Sequence, residues 1–403
     1  MKTDYKDLEK LEKKEDYAEV IKTVRKLVAK DPRVLTDPFI KRWCGRRYRN
    51  LFISEAVKDR AAVKTAGKFL KIGRDKRSDR QKIAERFLKG KEIQEWQVGM
   101  PKPKVDKPKE TTLIFCPGLI NGLLPVRAFP EEFPVLEKKT GWKIMRTDSH
   151  PMRSCKANIA DIVPTIDKGK GFDAGMKPLK HAKPPKDIIL MGYSKGSPDV
   201  LRLLADRPDL APRIRCFISW AGAVGGSYTA DGIYSFIKDT PTEAVTKRLD
   251  DFLAMVSPGS REHGALRRLE EYDIKGALLD LTTHEREAFM KKHYKAIDAL
   301  NVPIFNFTGA TTPLEVAHFQ IQDTLNLNRY DANNDMQLTQ AQAKVSIPMA
   351  TDLAMFHANH WDLSYSPFPR SKRMGSPNLD HPFPRLAAVT AIYLFLAELG
   401  LAT

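Results

Sequence analysis

Short runs of consecutive apolar residues recur along the chain from about residue 111 onward. Each run is five or six residues long, and about 20 or more residues separate most of them from the next. Strands that are apolar throughout belong to parallel sheets whose two faces are both covered by helices. The runs therefore predict an α/β fold with a mostly parallel sheet. The predicted strands are Thr111–Cys116, Trp142–Thr147, Asp187–Met191, Arg215–Trp220, Pro303–Phe307 and Asp352–Phe356.

One interval between predicted strands, Ser227–Asn301, is much longer than the others. Apolar residues recur there at three and four positions, which predicts helices around Phe236 and over 242–255, 264–281 and 285–300. An interval of this length is too long for a simple connection. We therefore expect a helical lid, residues 227–301, inserted between two strands of the sheet.

The first 90 residues also have helical periodicity, interrupted at Asp31-Pro32 and Asp37-Pro38. A segment rich in proline and lysine, Pro101–Glu110, follows them and is typical of a linker or exposed turn. The sequence thus predicts a helical N-terminal extension over 1–90 and a main α/β domain over 91–403.

The charge of the chain changes the interpretation of this extension. The 403 residues carry a formal net charge of +17, and residues 1–110 hold 32 Lys and Arg against 18 Asp and Glu. The basic residues are densest in Lys41–Arg49. A solvated helical face packed against the main domain is the favoured interpretation. Attachment to an anionic membrane surface is second, and nucleic-acid binding is the least favoured.

The N-terminal residues, the cysteines and one apolar segment bear on where the protein is located. The first 20 residues alternate charges of both signs and lack the apolar stretch of a secretory signal. The four cysteines form no CxxC pair, which favours buried reduced thiols over disulfides. The apolar segment Leu386–Ala397 is shorter than the roughly 20 residues that a membrane span needs, so it predicts a buried C-terminal helix. We expect a cytoplasmic protein, peripheral to a membrane if the basic region docks there. The sequence does not indicate an oligomeric state.

The motif Gly192-Tyr-Ser194-Lys195-Gly196 is the main candidate for chemistry. It has the pattern G-x-S-x-G, with a predicted strand before it and a helical run after it, as a nucleophile elbow requires. The tight turn would project the Ser194 hydroxyl as a nucleophile. The amide of Lys195 would point, with the dipole of the following helix, at the site of a developing oxyanion. The alternative is an ordinary turn with a solvated serine.

A glycine-bearing loop after the first predicted strand, Pro117–Gly122, supports this interpretation. In folds with a nucleophile elbow, such a loop supplies the second amide of the oxyanion hole. Leu119 is the leading candidate for that amide, and a simple turn is the alternative.

A nucleophilic serine needs a base and an acid, both expected after Ser194 in the chain. His360 leads as the base because it follows the last predicted strand, and His357 is its close rival. His381 precedes the C-terminal helix and is expected to pack or cap. Asp335 leads as the acid over two other aspartates, Asp331 and Asp323.

Several segments of the chain resemble the α/β-hydrolase superfamily, and more narrowly a set of bacterial hydrolases on its esterase and lipase side. They are GYSKG (192–196), AGAVGGS (221–227), NND (333–335), NHWDLSYSPF (359–368) and HPFPR (381–385). The resemblance covers about residues 111–399. It implies that Asp335 is the acid and His360 the base. The chain departs from the family pattern at Met336, which replaces a glycine, and at Asn359 and Asp362, which flank His360-Trp361.

Two segments of the chain partly match the motifs of metal and phosphate sites. The segment that begins at Asp331 resembles an EF-hand loop but has Met336 at the sixth position and Gln342 at the twelfth. No H-E-x-x-H occurs, and the GAVGG segment lacks the glycine spacing and the lysine of phosphate-binding loops. We expect neither a metal nor a cofactor.

Together these features predict a serine hydrolase that cleaves a carboxylic ester through an acyl-enzyme. The apolar residues of the predicted lid favour an acyl chain or hydrophobic ester. A thioesterase, an acyltransferase or an intracellular polyester depolymerase would use the same triad. The alternative from another class is a non-catalytic scaffold, or a protein that binds an anionic surface, with an inherited hydrolase fold.

Overall fold

The computed structural model describes residues 5–67, 75–105, 108, 110–179, 182–247, 271–373 and 375–402. Within these residues the backbone forms one sheet of eight strands. The strands are β1 Thr111–Cys116, β2 Lys143–Arg146, β3 Gly171–Asp173, β4 Pro178–Leu179, β5 Asp187–Tyr193, β6 Ile214–Trp220, β7 Ile304–Ala310 and β8 Ala350–His357.

The sheet has the spatial order β4-β3-β2-β1-β5-β6-β7-β8. In this order, the six neighbouring strands β2, β1, β5, β6, β7 and β8 pair in parallel. Strands β3 and β4 pair antiparallel at one edge of the sheet. The six strands predicted from apolar runs are thus confirmed, with ends that differ by up to three residues. The two antiparallel edge strands were not predicted, because strands of three and two residues are too short to produce a pattern.

Thirteen α-helices in the described part of the chain surround this sheet. Their bounds are α1 Lys6–Lys13, α2 Tyr17–Lys30, α3 Pro38–Ala56, α4 Arg60–Gly67, α5 Asp79–Phe87, α6 Glu132–Thr140, α7 Cys155–Lys168, α8 Gly196–Asp206, α9 Tyr228–Ile237, α10 Ile274–Leu279, α11 Thr283–Ala299, α12 Ile321–Leu327 and α13 Arg385–Glu398. Residues 242–247 are also helical. The predicted lid falls partly on residues 248–270, which lie outside the described residues.

Alternate residues of each central strand point to opposite faces of the sheet, as β-geometry requires. Along β5, Ile189 and Met191 enter one core with α3, α6 and α13, whereas Ile188 and Leu190 enter the other with α7, α8 and α11. The prediction of helices on both faces of the sheet is therefore confirmed.

The N-terminal helices share the first of these two cores. Trp43, Tyr48 and Phe52 of α3 are buried, and the Tyr48 ring lies 4.7 Å from the Phe307 ring of β7, centroid to centroid. Helix α3 also packs against β8 and against the buried C-terminal helix α13. This part of the predicted extension therefore covers one face of the sheet.

The four arginines of the Lys41–Arg49 segment pair with glutamates of the same chain. Glu12 accepts hydrogen bonds from Arg42 and Arg46, and the buried Glu398 accepts two from Arg47 at 2.5 and 2.7 Å. The fourth arginine, Arg49, lies 3.4 Å from Glu95.

The structure also shows the surroundings of the cysteines and the lengths of the helices. All four cysteines are buried free thiols, and burial raises the pKa of each one. Across the described ranges, the helices are all too short or too polar to cross a bilayer.

Candidate active site

Ser194 lies at the turn between β5 and α8 and has a backbone φ of +52°. A residue other than glycine in this left-handed region is strained by roughly 1–3 kcal/mol. The turn is tight on both sides. A Cβ at Gly192 would lie 2.6 Å from the Gly196 carbonyl oxygen, and a Cβ at Gly196 would lie 2.1 Å from that of Cys116. Both positions therefore require glycine, and the turn holds the half-buried Ser194 at its apex.

The loop after β1 touches this turn. A Cβ at Gly118 would lie 2.9 Å from the Ser194 Cβ. Ile120, two residues on, has φ +53°, and its amide donates to the Pro151 carbonyl at 3.1 Å. The amide of Leu119 between them donates to no other described residue, and the same holds for the amide of Lys195. The two predicted oxyanion donors thus lie in the serine turn and in the loop that touches it. Neither amide donates a hydrogen bond to another described residue.

Asp335 and His360 come together although 25 residues separate them. The His360 Nδ1 lies 2.8 Å from the Asp335 Oδ2, and both side chains are almost fully buried. The His360 amide also donates to the Asp335 carbonyl at 2.8 Å. The other ring nitrogen, Nε2, has no hydrogen-bond partner in the described part of the chain. Asp335 thus binds one ring nitrogen of His360, and the other has no partner among the described residues.

The backbone of the acid loop orients Asp335. Its Oδ1 accepts from the amides of Gln337 at 3.0 Å and Leu338 at 2.7 Å, which leaves Oδ2 for His360. Met336 has φ +83°, a conformation that glycine adopts without strain. Met336 occupies the position where the family resemblance predicts a glycine.

Tyr193, the residue before Ser194, connects the serine turn to the histidine. Its hydroxyl donates to the His360 carbonyl at 2.9 Å, and its ring stacks on the imidazole at 5.2 Å between centroids. Burial raises the pKa of Tyr193 well above its usual value. Tyr193 could not be identified from the sequence, because the variable position of G-x-S-x-G carries no signal for such a contact.

The rival histidines have other partners. His357 Nε2 lies 2.8 Å from Glu315 Oε2, outside the Asp335 pair. Burial opposes ionisation of Glu315, but hydrogen bonding and attraction from His357, with Arg86 and Thr312, lower the pKa of this carboxyl to about 2. His381 is buried and lies 2.6 Å from Asp362 through Nδ1, as expected of a packing residue.

The rival aspartates do not contact His360. Asp331 accepts hydrogen bonds from the backbone amides of Asn333 and Gln340, at 2.8 and 2.9 Å. Asp323 lies on α12, and burial raises the pKa of its carboxyl.

A buried ion pair lies directly behind the serine turn. The Lys195 Nζ is 2.7 Å from the Asp199 Oδ1, and each side chain is 1% exposed. Asn158 donates to the second oxygen of Asp199 at 2.9 Å. Burial alone would lower the pKa of Lys195, but the attraction of Asp199 outweighs it and the pKa is raised. The i,i+4 spacing of Lys195 and Asp199 was available in the sequence, but their burial was not.

Metal binding has no support in the described ranges. Within them, His, Cys, Asp and Glu side chains do not group in threes that could hold an ion.

Comparison with solved structures shows which fold this arrangement belongs to. The chain is similar to the metagenomic carboxyl esterase MGS0156, with a TM-score of 0.60 and 21% identity over 87% of this chain and 90% of that one. The mature lipase BlEst2 of Bacillus licheniformis matches at TM-score 0.43 and 17% identity, over 66% and 89% of the two chains. Lipase 1 from Pelosinus fermentans matches at TM-score 0.42 and 12% identity, over 63% and 93%. No family model and no curated protein matches the sequence. The first similarity confirms the predicted α/β-hydrolase fold.

Proposed function

We propose that the protein is a serine hydrolase that cleaves carboxylic esters through an acyl-enzyme. One observation carries the proposal: the strained Ser194 of a glycine-walled turn directly follows Tyr193, whose ring stacks on the imidazole of a buried His360–Asp335 pair, and the Nε2 of that imidazole has no partner among the described residues. Strain of this kind persists where the surrounding structure enforces it, and it concentrates at active sites. The fold places such a serine at the carboxyl ends of the parallel strands, where ligands bind in α/β proteins.

The proposed reaction uses the two ring nitrogens of His360 differently. Nε2 takes the proton of the Ser194 hydroxyl as its oxygen attacks the ester carbonyl. Asp335, hydrogen-bonded to Nδ1, stabilises the imidazolium that forms. The amides of Lys195 and Leu119 donate to the oxyanion. His360 then protonates the leaving alcohol, and a water activated by the same nitrogen releases the acid.

Exposed apolar side chains support a hydrophobic ester as the substrate. They occur in α9, which follows β6, and in residues 314–330, which follow β7, so both groups lie toward the edge of the sheet that carries Ser194. Phe236 is 68% exposed and Leu314 is 86% exposed. The rings of Tyr228 and Tyr330 stack at 4.0 Å and link the two segments. We propose that these residues contact the acyl chain or the hydrophobic alcohol of the ester.

Labelling with a fluorophosphonate probe and hydrolysis of p-nitrophenyl esters of short and long acids test the proposal. Ser194→Ala should abolish labelling and lower turnover by roughly 10⁴-fold or more. The matched control is Ser346→Ala, which removes an exposed hydroxyl and should leave both unchanged. Because thioesterases and acyltransferases use the same triad, the panel includes an acyl thioester and an alcohol acceptor.

The outcomes separate the alternatives. Labelling at Ser194 with turnover of thioesters alone would replace the ester substrate but keep the mechanism. A folded protein without Ser194-dependent labelling or turnover would refute the enzyme and favour the scaffold.

A further inference from the structure

A cavity lies near the amino ends of the parallel strands, whereas Ser194 lies at their carboxyl ends. It has a volume of about 620 Å³ and lies between α3, the end of α6, α13 and residues 100–105. The chain passes through residues 100–105 before β1 begins, and through Lys139 and Thr140 before β2 begins. These segments are therefore at the amino ends of the parallel strands. A strand of six or seven residues spans on the order of 20 Å, so the cavity is separate from the proposed active site.

Cations dominate the charge of this cavity. Five of its lining residues are basic, namely Arg47, Lys58, Arg80, Lys102 and Lys139. Two carboxylates oppose them in the described structure: Glu55, which pairs with two of the lysines, and Glu398, which pairs with Arg47. The lining therefore carries a surplus of about three positive charges, which attracts an anion.

Arg80 holds a charge that no carboxylate of the described ranges neutralises. Its guanidinium donates to the carbonyls of Trp96 and Val98, each at 3.1 Å, and to the hydroxyl of Ser54 at 2.9 Å. All three acceptors are uncharged, and burial lowers the pKa of Arg80. A half-buried cation in this environment gains stability when an anion approaches.

Two residues that line the cavity carry donors without acceptors in the described part of the chain. The Nη1 of Arg47 and the Oγ1 of Thr390 have no hydrogen-bond partner among the described residues, and both residues are at least nine-tenths buried. An unmade hydrogen bond in the interior costs about 1–3 kcal/mol. Both atoms are closed to solvent, so a ligand with acceptor oxygens would satisfy them once the two side chains turn toward the cavity.

The remaining lining is largely apolar and would suit a hydrocarbon chain. It includes Leu51, Met100, Pro101, Val105 and Leu394. The volume falls within the range of small-molecule sites. From the cationic surplus, the unpaired donors and this apolar lining together, we infer that the cavity binds an anionic amphiphile, a carboxylate or phosphate group on an alkyl chain.

Isothermal titration of the full chain with dodecanoate, dodecyl phosphate and dodecanol, below their aggregation concentrations, tests the inference. We expect the two anions to bind and the alcohol to bind at least tenfold more weakly. The triple variant Lys58→Gln, Lys102→Gln and Lys139→Gln should weaken anion binding at least tenfold. A matched triple variant, Lys14→Gln, Lys26→Gln and Lys64→Gln, removes three exposed charges away from the cavity and should change it less than twofold. The relative affinity of the two anions distinguishes a carboxylate ligand from a phosphate.

A steric variant tests the location independently of charge. Leu394→Trp should fill the cavity and abolish binding, and circular dichroism checks that the variant is folded. Binding that survives Leu394→Trp in a folded protein would overturn the inference. So would equal affinity for dodecanol, equal losses in the two triple variants, or no binding of either anion. Because Ser194 is not involved, loss of esterase activity in Ser194→Ala leaves this test unaffected.

Discussion

The buried pair behind the serine turn gives a prediction whose magnitude follows from the structure. Asp199→Asn keeps the shape of the side chain but removes the charge that balances Lys195. Because both side chains are 1% exposed, the ammonium would remain in the interior without a counter-ion. Removing one partner of a buried pair costs about 3–5 kcal/mol of unfolding free energy, against at most about 1 kcal/mol for an exposed pair.

Urea unfolding followed by tryptophan fluorescence measures this cost. A loss of about 3–5 kcal/mol is expected for Asp199→Asn and also for Lys195→Met. In the double variant Lys195→Met with Asp199→Leu neither charge is left unpaired, so most of the loss should be recovered. The matched control, Asp206→Asn on the same helix, breaks the exposed pair with Arg202 and should cost less than about 1 kcal/mol.

The pH dependence checks the sign of the same interaction. The pKa of Lys195 is raised in the folded protein, so the stability it contributes is complete below the ordinary lysine pKa and is lost as the pH rises through the higher value. In Asp199→Asn, burial without the partner lowers the pKa of Lys195, so the stability difference from wild type should be largest at low pH and should narrow as the lysine of the variant loses its proton on raising the pH. Single variants that cost less than 1 kcal/mol, or a double variant as unstable as the two losses summed, would refute the reasoning.

Three further predictions concern other contacts. His357→Ala should keep ester hydrolysis, because His357 pairs with Glu315. The pKa of Glu315 is lowered to about 2, so its pairing stabilises the fold above the ordinary glutamate pKa and is lost on acidification. His357→Ala should therefore move the acid-unfolding midpoint, followed by circular dichroism, to higher pH. Gly196→Ala should abolish fluorophosphonate labelling, since the added methyl would lie 2.1 Å from the Cys116 carbonyl oxygen; normal labelling would contradict this. Glu12→Gln should lower the thermal midpoint, because the buried Glu12 pairs with both Arg42 and Arg46; an unchanged midpoint would contradict this.

The parts of the fold that the sequence predicts are those with local signals. Six strands are long and apolar, so their runs are visible without knowledge of their neighbours. Ser194 stands in a motif whose glycines are explained by contacts within the turn itself. The pairing of Asp335 with His360 has no local signal, since it depends on how two loops meet. Chain order and family resemblance favoured these two residues, and periodicity contributed nothing to that choice.

Other features depend on burial, which a single sequence shows poorly for charged residues. Lys195 reads as an exposed lysine, yet it is one of the largest fully buried side chains. Tyr193 reads as a strand residue, yet it contacts the imidazole of His360. In both cases the residue type is common on surfaces, and only the packing of α8 and β8 against the turn determines its environment.

The basic N-terminal region shows why net charge alone is a weak guide to partners. The surplus of residues 1–110 suggests a polyanion-binding face, but the arginines of α3 form ion pairs with Glu12, Glu95 and Glu398. The last of these is on α13, so the charge joins the first and last parts of the chain. Attachment to an anionic surface would therefore depend on exposed lysines outside this segment. The cavity lined by Arg80 and three lysines offers a more specific use for part of this surplus, because the cations of the cavity outnumber the carboxylates that pair with them.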